Sequence, residues 1–183
     1  MGYPAYYIMQ KTLLDPKQLM GMIDYPPLHS PEAFRSYYEK HKSGMDVEPV
    51  AVVPIEAAIA YFAERPERYA TFRTTLDDFL LSHPSAKYFM LGGKHRSAAA
   101  TVLGTDIPCL VVGSEADVTE IHRLMDEGKI TGGTGVGENF SDTLHELEEH
   151  YFEHKRFWTM DEKTEAMIKN KDIPENMLKM KRK

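Results

Sequence analysis

The sequence predicts a mixed α/β domain, an α+β arrangement with a small mixed sheet, a helical insertion and a helical C-terminal segment. Three observations carry that prediction. Apolar runs of strand length at 50–53, 88–91 and 107–112 are separated by longer segments with helical spacing of apolar residues. The middle run, Tyr88-Phe89-Met90-Leu91, passes through Gly92-Gly93-Lys94-His95-Arg96-Ser97 into Ala98-Ala99-Ala100, so two glycines and three basic groups join a strand to an Ala-rich helix. The chain of 183 residues is 42% hydrophobic, enough for one substantial core.

Taken in order, residues 6–14 are rich in aromatic and β-branched side chains and read as a first strand, stopped by Asp15-Pro16. Asp24-Tyr25-Pro26-Pro27 reads as an irregular loop. Ser30-Pro31 starts a helix, the hydroxyl capping and proline standing at the first helical position, and this helix directs Phe34, Tyr37 and Tyr38 inward until Ser43-Gly44. Glu48-Pro49 leads into the strand at 50–53. Residues 55–63 and 66–82 read as two helices split at Arg65-Pro66, forming an insertion over 54–86. Its Tyr61, Phe62, Tyr69, Phe72 and Phe79 are spaced as a helical apolar face that packs on the sheet or forms a lid. Arg65, Arg68 and Arg73 of the insertion either project into a ligand site or are solvated.

After the 88–91 strand the Ala-rich helix runs from Ser97 to Leu103 and ends at Gly104, ahead of the strand at 107–112. A helix follows at 115–127. Five glycines in the ten residues 128–137 exclude a regular element and mark a mobile loop, hinge or linker. Residues 140–158 read as a polar helix, Thr159 caps a helix at 160–170, and Asp172-Ile173-Pro174 opens a last short one. The organisation is therefore a domain over 1–127, a glycine-rich loop over 128–139 and a helical appendage over 140–183. Met160, Met167, Met177 and Met180 suit packing of that appendage on the body or on a second copy, giving a homodimer through the C-terminal helices.

The Gly92-Gly93-Lys94-His95-Arg96-Ser97 box has the chemistry of a phosphate site. Glycines let the backbone approach an anion, the first N–H groups of a helix point at it, and the helix dipole favours it. Lys94, His95 and Arg96 add charge and donors. A net charge of −6 weighs against wholesale nucleic-acid binding, so a basic loop on an acidic body fits a small anionic ligand better. The basic end Lys179-Met180-Lys181-Arg182-Lys183 is too short to reverse that balance. The one cysteine, Cys109, lies in an apolar run and reads as a core residue, which suits a reducing compartment. No apolar run reaches the roughly 18 residues of a membrane span, and the expected setting is the cytoplasm, with no membrane partner.

The order of strand, Gly-Gly-Lys-His-Arg-Ser box, Ala-rich helix, Leu103-Gly104 and Ile107-Pro108-led strand, with Glu48-Pro49-Val50-Ala51-Val52-Val53 upstream, resembles the ParB/sulfiredoxin superfamily. The resemblance covers residues 6–112, with a longer insertion than usual. Gly92-Gly93-Lys94-His95-Arg96 looks like the Gly-Gly-Cys-His-Arg of sulfiredoxins, except that Lys94 replaces the reactive cysteine. An ammonium cannot form the covalent sulfur intermediate of sulfinic-acid repair, so that reductase activity does not carry over.

The resemblance implies a nucleotide, ATP, ADP or CTP, bound at the box with Mg²⁺. Lys94 and Arg96 would neutralise phosphate charge, His95 would donate a hydrogen bond, and Ser97 with the Gly92 and Gly93 backbone would complete the cradle. Because the superfamily includes a free-serine kinase with a carboxylate in the loop before the first conserved helix, the implied chemistry is phosphoryl transfer to a small hydroxyl acceptor. Asp24 is the first candidate base and Glu48 the second. For each, a turn former or strand-end acid is the competing reading. The rival function is a ParB-like module without catalysis, switched by nucleotide to hold DNA or a protein. DNA is disfavoured, since no recognition helix follows the box.

One further pattern stands apart. His150-Tyr151-Phe152-Glu153-His154 matches the His-x-x-Glu-His of inverted zinc peptidases, and His145 lies on the same helix. The other reading is a polar helix with surface histidines.

Overall fold

A computed structural model describes residues 9–21, 30–64, 66–130, 133–154 and 156–178, and everything below concerns those residues. The protein is a mixed α/β fold in which helices cover both faces of one six-stranded, curled sheet. The strands are β1 (Lys11–Leu14), β2 (Leu19–Gly21), β3 (Val50–Pro54), β4 (Tyr88–Met90), β5 (Ile107–Val111) and β6 (Trp158–Thr159). They lie in the order β1-β5-β3-β4-β2-β6. The helices are α1 (Pro31–Lys42), α2 (Ile55–Ala63), α3 (Pro66–Ser82), α4 (Lys94–Leu103), α5 (Glu115–Asp126), α6 (Phe140–His154), α7 (Met160–Lys169) and α8 (Glu175–Leu178), with a 3₁₀ turn at Pro16–Gln18.

The central strands are buried on both faces, which is why they read as unbroken apolar runs. Val50, Val52, Ile107 and Cys109 point into a core built with Phe34 and Tyr38 of α1, Ala98, Ala99 and Ala100 of α4, and Met160 and Met167 of α7. Ala51, Val53, Phe89 and Leu110 point the other way, onto α2, α3, α5 and α6. On that second side the insertion aromatics form an edge-to-face cluster, with Phe72 centred 4.5 Å from Phe62 and 4.7 Å from Tyr151. They are core residues of the sheet's back face.

Helix α4 lies between α1, α7 and the sheet. Its three alanines are fully buried, and their small side chains let the helix axis come close to the strands. Gly104, in the left-handed conformation, ends the helix by turning its N–H back to the carbonyls of Ala100 and Thr101.

The structure adds two strands that period and composition did not expose, β2 and β6. Each is two or three residues long, too short to show alternation. Residues 140–178 are mainly helical, as the sequence predicts, and they also supply edge strand β6. The buried Met160, Met167 and Met177 face this chain's own core. The feature that suggested a second copy is thus used within the chain.

Directions of the strands decide what meets at the box. Strands β2 and β4 are parallel, with Leu19 opposite Tyr88 and Met20 opposite Phe89. Strand β3 is antiparallel to β4, with Val52 opposite Met90. The C-terminal ends of β2 and β4 and the N-terminal end of β3 therefore share one edge of the sheet.

Candidate functional site

That edge carries the glycine box. Leu91 still bonds to β3, its N–H donating to the Ala51 carbonyl at 3.0 Å, and the chain then turns at Gly92-Gly93 into α4. Gly93 is the residue before the first helical turn and has φ +80°. A Cβ there would overlap Cγ1 of Val50, so the close approach of this corner to β3 requires glycine twice over. No side chain caps the helix. The helix begins at Lys94, three residues before the position the sequence predicts, so Lys94, His95 and Arg96 form its first turn.

Their environments differ. Lys94 is half-buried, and loss of hydration holds its ammonium below the ordinary lysine range. His95 is half-buried beside it. Arg96 is only 6% exposed and turns inward. Its Nη1 donates to the Pro49 carbonyl at 2.8 Å, stands 3.9 Å from Glu48 Oε2, and its guanidinium lies 5.9 Å from the centre of the Tyr37 ring. Arg96 thus ties the start of α4 to the entry of β3 and to α1. Ser97 is fully buried, its hydroxyl donating to the Met90 sulfur at 3.2 Å and its N–H to the Gly93 carbonyl at 3.0 Å. The groups presented together at the box are therefore the first-turn backbone, Lys94 and His95. Arg96 and Ser97 hold that turn in place.

Of the two candidate bases, Glu48 lies at this edge through its contact with Arg96. Asp24 lies outside the described residues. Strand β2, which precedes it, ends at Gly21 on the same edge of the sheet as the box. The glycine-rich segment also comes here. A Cβ on Gly92 would stand 2.7 Å from the Gly133 carbonyl oxygen, so that loop lies against the box backbone. Nothing in sequence spacing announced this contact, nor the roles of Tyr37 and the Pro49 carbonyl; only the glycine content of both segments hinted that two backbones meet.

Other candidates separate from the site. Arg68 and Arg73 sit on α3, in the layer across the sheet from α4, where Arg68 pairs with the buried Glu148 and Arg73 with Asp77 at 3.0 Å. Arg65 lies outside the described residues. On α6, His145 contacts Glu148 at 3.3 Å and Glu149 at 3.4 Å. Among the described residues no three histidine, cysteine or acidic groups converge as a metal site, and the His154 side chain is outside them. Cys109 is fully buried and its thiol is pushed up to about 12 by burial, which leaves no thiolate for chemistry at neutral pH. No helix among the described residues is long and apolar enough to cross a membrane.

The fold and this edge define a mixed α/β protein with a basic, glycine-bearing helix start as its candidate site. Set against protein-family models, curated proteins and solved structures, the chain matches none of them.

Proposed function

We propose that the start of α4 binds the phosphates of a nucleotide, ATP, ADP or CTP, and that the protein transfers a phosphoryl group from ATP or ADP to a small hydroxyl acceptor in the cytoplasm. One observation carries the reading. The first turn of α4 opens at a left-handed glycine with no side-chain cap, with half-buried Lys94 beside it. Uncapped N–H groups, the positive end of a helix dipole and a lysine together suit a phosphate. The resemblance of the box to the ParB/sulfiredoxin superfamily supports the nucleotide as its carrier.

In that reaction the acceptor hydroxyl attacks the terminal phosphorus, the bond to the bridging oxygen breaks, and the proton passes to a carboxylate. Asp24 is proposed as that base, with Glu48 second. Mg²⁺ bound to a nucleotide takes most of its ligands from phosphate oxygens and water, needing only one or two carboxylates from the protein. Glu48 at this edge fits that limited demand, and the ion would supply charge neutralisation. A thermal-shift series with ATP, ADP, CTP and GTP, each with and without Mg²⁺, tests the proposal. Ligands of the folded state raise the melting temperature. A flat response to all four rejects it.

The contact between Gly133 and Gly92 favours a second reading, a nucleotide-switched binding module without catalysis. A phosphate arriving at the box would push on that loop and change the surface it presents. A response to CTP alone that depends on DNA or a protein partner, with no transfer to any hydroxyl compound, selects this reading. The net charge of −6 makes protein the favoured partner over DNA.

A further inference from the structure

We infer that the free edge of β1 is a docking site for an extended, basic segment of a partner protein, which adds a strand to the sheet there. Strand β1 is outermost, beyond β5. The direction of its backbone groups follows from β5. Val112 donates to the Val52 carbonyl at 2.8 Å, so the backbone groups of Leu110 and Pro108, two and four residues back, turn toward β3. Those of Cys109 and Ile107 turn toward β1, where they meet Thr12 and Leu14. Lys11 and Leu13 therefore present their N–H and C=O groups outward, and no backbone hydrogen bond among the described residues reaches them.

Exposed edges are ordinarily blunted by a charged side chain, a proline or a bulge. The one charge on β1, Lys11, is engaged by Asp46. Beside it Leu13 is 63% exposed, and Met45, in the turn after α1, is 60% exposed; Leu81 is the one other large apolar side chain so exposed among the described residues. Leu13 and Met45 line one cleft together with Lys11, His41, Asp46 and Asp106. Its volume of about 210 Å³ lies below the roughly 300–1,000 Å³ of small-molecule sites, so side chains from a strand laid along the edge suit it better.

Charge sets the kind of strand. Lys11 and Asp46 satisfy each other, and burial keeps the His41 ring neutral at pH 7. Asp106 is exposed and joins no ion pair among the described residues, so the cleft keeps a net negative charge on a chain of net charge −6. A lysine or arginine of the incoming segment meets Asp106, and an apolar residue of the same segment covers Leu13 and Met45. Backbone pairing supplies the affinity and these two side chains the selectivity. A second copy of this chain fits less well, because it brings the same excess of acid to the contact.

Selection of a displayed random-heptapeptide library on the full chain, followed by fluorescence anisotropy with the synthetic form of the enriched peptide, provides the test. Enriched peptides should carry a lysine or arginine together with an apolar residue. Leu13→Glu and Asp106→Lys should each weaken that peptide by about tenfold or more at an unchanged melting temperature. Lys94→Ala should bind it as wild type does, since none of the groups named belongs to the glycine box. Methylation of alternate peptide nitrogens should abolish binding in one register and spare it in the other, as strand addition requires. Failure to enrich any basic and apolar peptide, equal affinity of Leu13→Glu and wild type, or tolerance of methylation at every position overturns the assignment. Wild type that sediments as a dimer, with Leu13→Glu a monomer, gives the edge to a second copy and overturns it too. Should Leu13→Glu not fold, Asp106→Lys and the methylation pattern decide in its place.

Discussion

Helices α4 and α7 pack against each other, yet they begin in opposite ways. At α7 the Thr159 hydroxyl accepts from the Glu162 N–H at 3.2 Å, and Glu162 accepts from the Thr159 N–H at 2.8 Å. At α1 and α5, Ser30 and Ser114 likewise cap. At α4 the place of the capping hydroxyl is taken by Gly93, and the following side chain is a lysine where α7 places acids in its first turn. Acids at a helix start satisfy the dipole internally, whereas a basic residue opposes it. The start of α7 is thus arranged for stability. That of α4 gives up the same stabilisation, and an anion from outside would restore it.

The sharpest way to break this contrast is at Gly93. Gly93→Ala places a methyl group into Val50 and holds alanine at positive φ, so unfolding in urea should show a loss of about 2–4 kcal/mol. A loss under about 0.5 kcal/mol would mean the corner is looser than its contact with Val50 indicates. Next in size, Lys94→Ala should weaken nucleotide binding by about 1.5–3 kcal/mol in calorimetry and leave stability nearly unchanged, because a half-buried ammonium leaves no core cavity. The matching change at the other helix, Thr159→Ala, should do the reverse. It should cost about 1 kcal/mol of stability through the lost cap and leave nucleotide affinity alone. If both variants moved the same quantity, the two helix starts would not differ in role.

A smaller effect concerns His41, which packs beside the first turn of α4. Burial holds its imidazole below the usual range, with the Arg96 backbone opposing and Lys11 adding to the shift. The native state therefore prefers the neutral ring. Its contribution to stability is complete above the unfolded value of about 6.5 and is lost as pH falls below it, because the unfolded chain takes up the proton first. Stability of wild type measured from pH 7.5 to 5 should fall more steeply than that of His41→Asn. Parallel profiles would show that His41 does not contribute.

Much of the fold was legible because its signals are local. The 50–53 and 107–112 runs became β3 and β5, since strands buried on both faces need continuous apolar sequence. Ser30-Pro31, Thr159 and Gly104 marked helix ends through capping chemistry that acts within one turn. The start of α4 was read three residues late, because a glycine cap carries no side-chain signal. Strands β2 and β6 escaped notice because their pairing comes from distant parts of the chain. At the site, the box itself was visible, but the inward turn of Arg96 toward Pro49 and Glu48 was not. Spacing reports which residues share a helix turn; it does not report which of them the neighbouring strand and helix will claim.

The most direct measurement is an amide NMR titration of ¹⁵N-labelled protein with ADP and Mg²⁺. Shifts concentrated at Gly92, Gly93, Lys94 and His95, with the amides of Thr159 to Glu162 unmoved, are the predicted result. Saturable shifts centred elsewhere, or none at millimolar nucleotide, would contradict the assignment of the α4 start as the phosphate site.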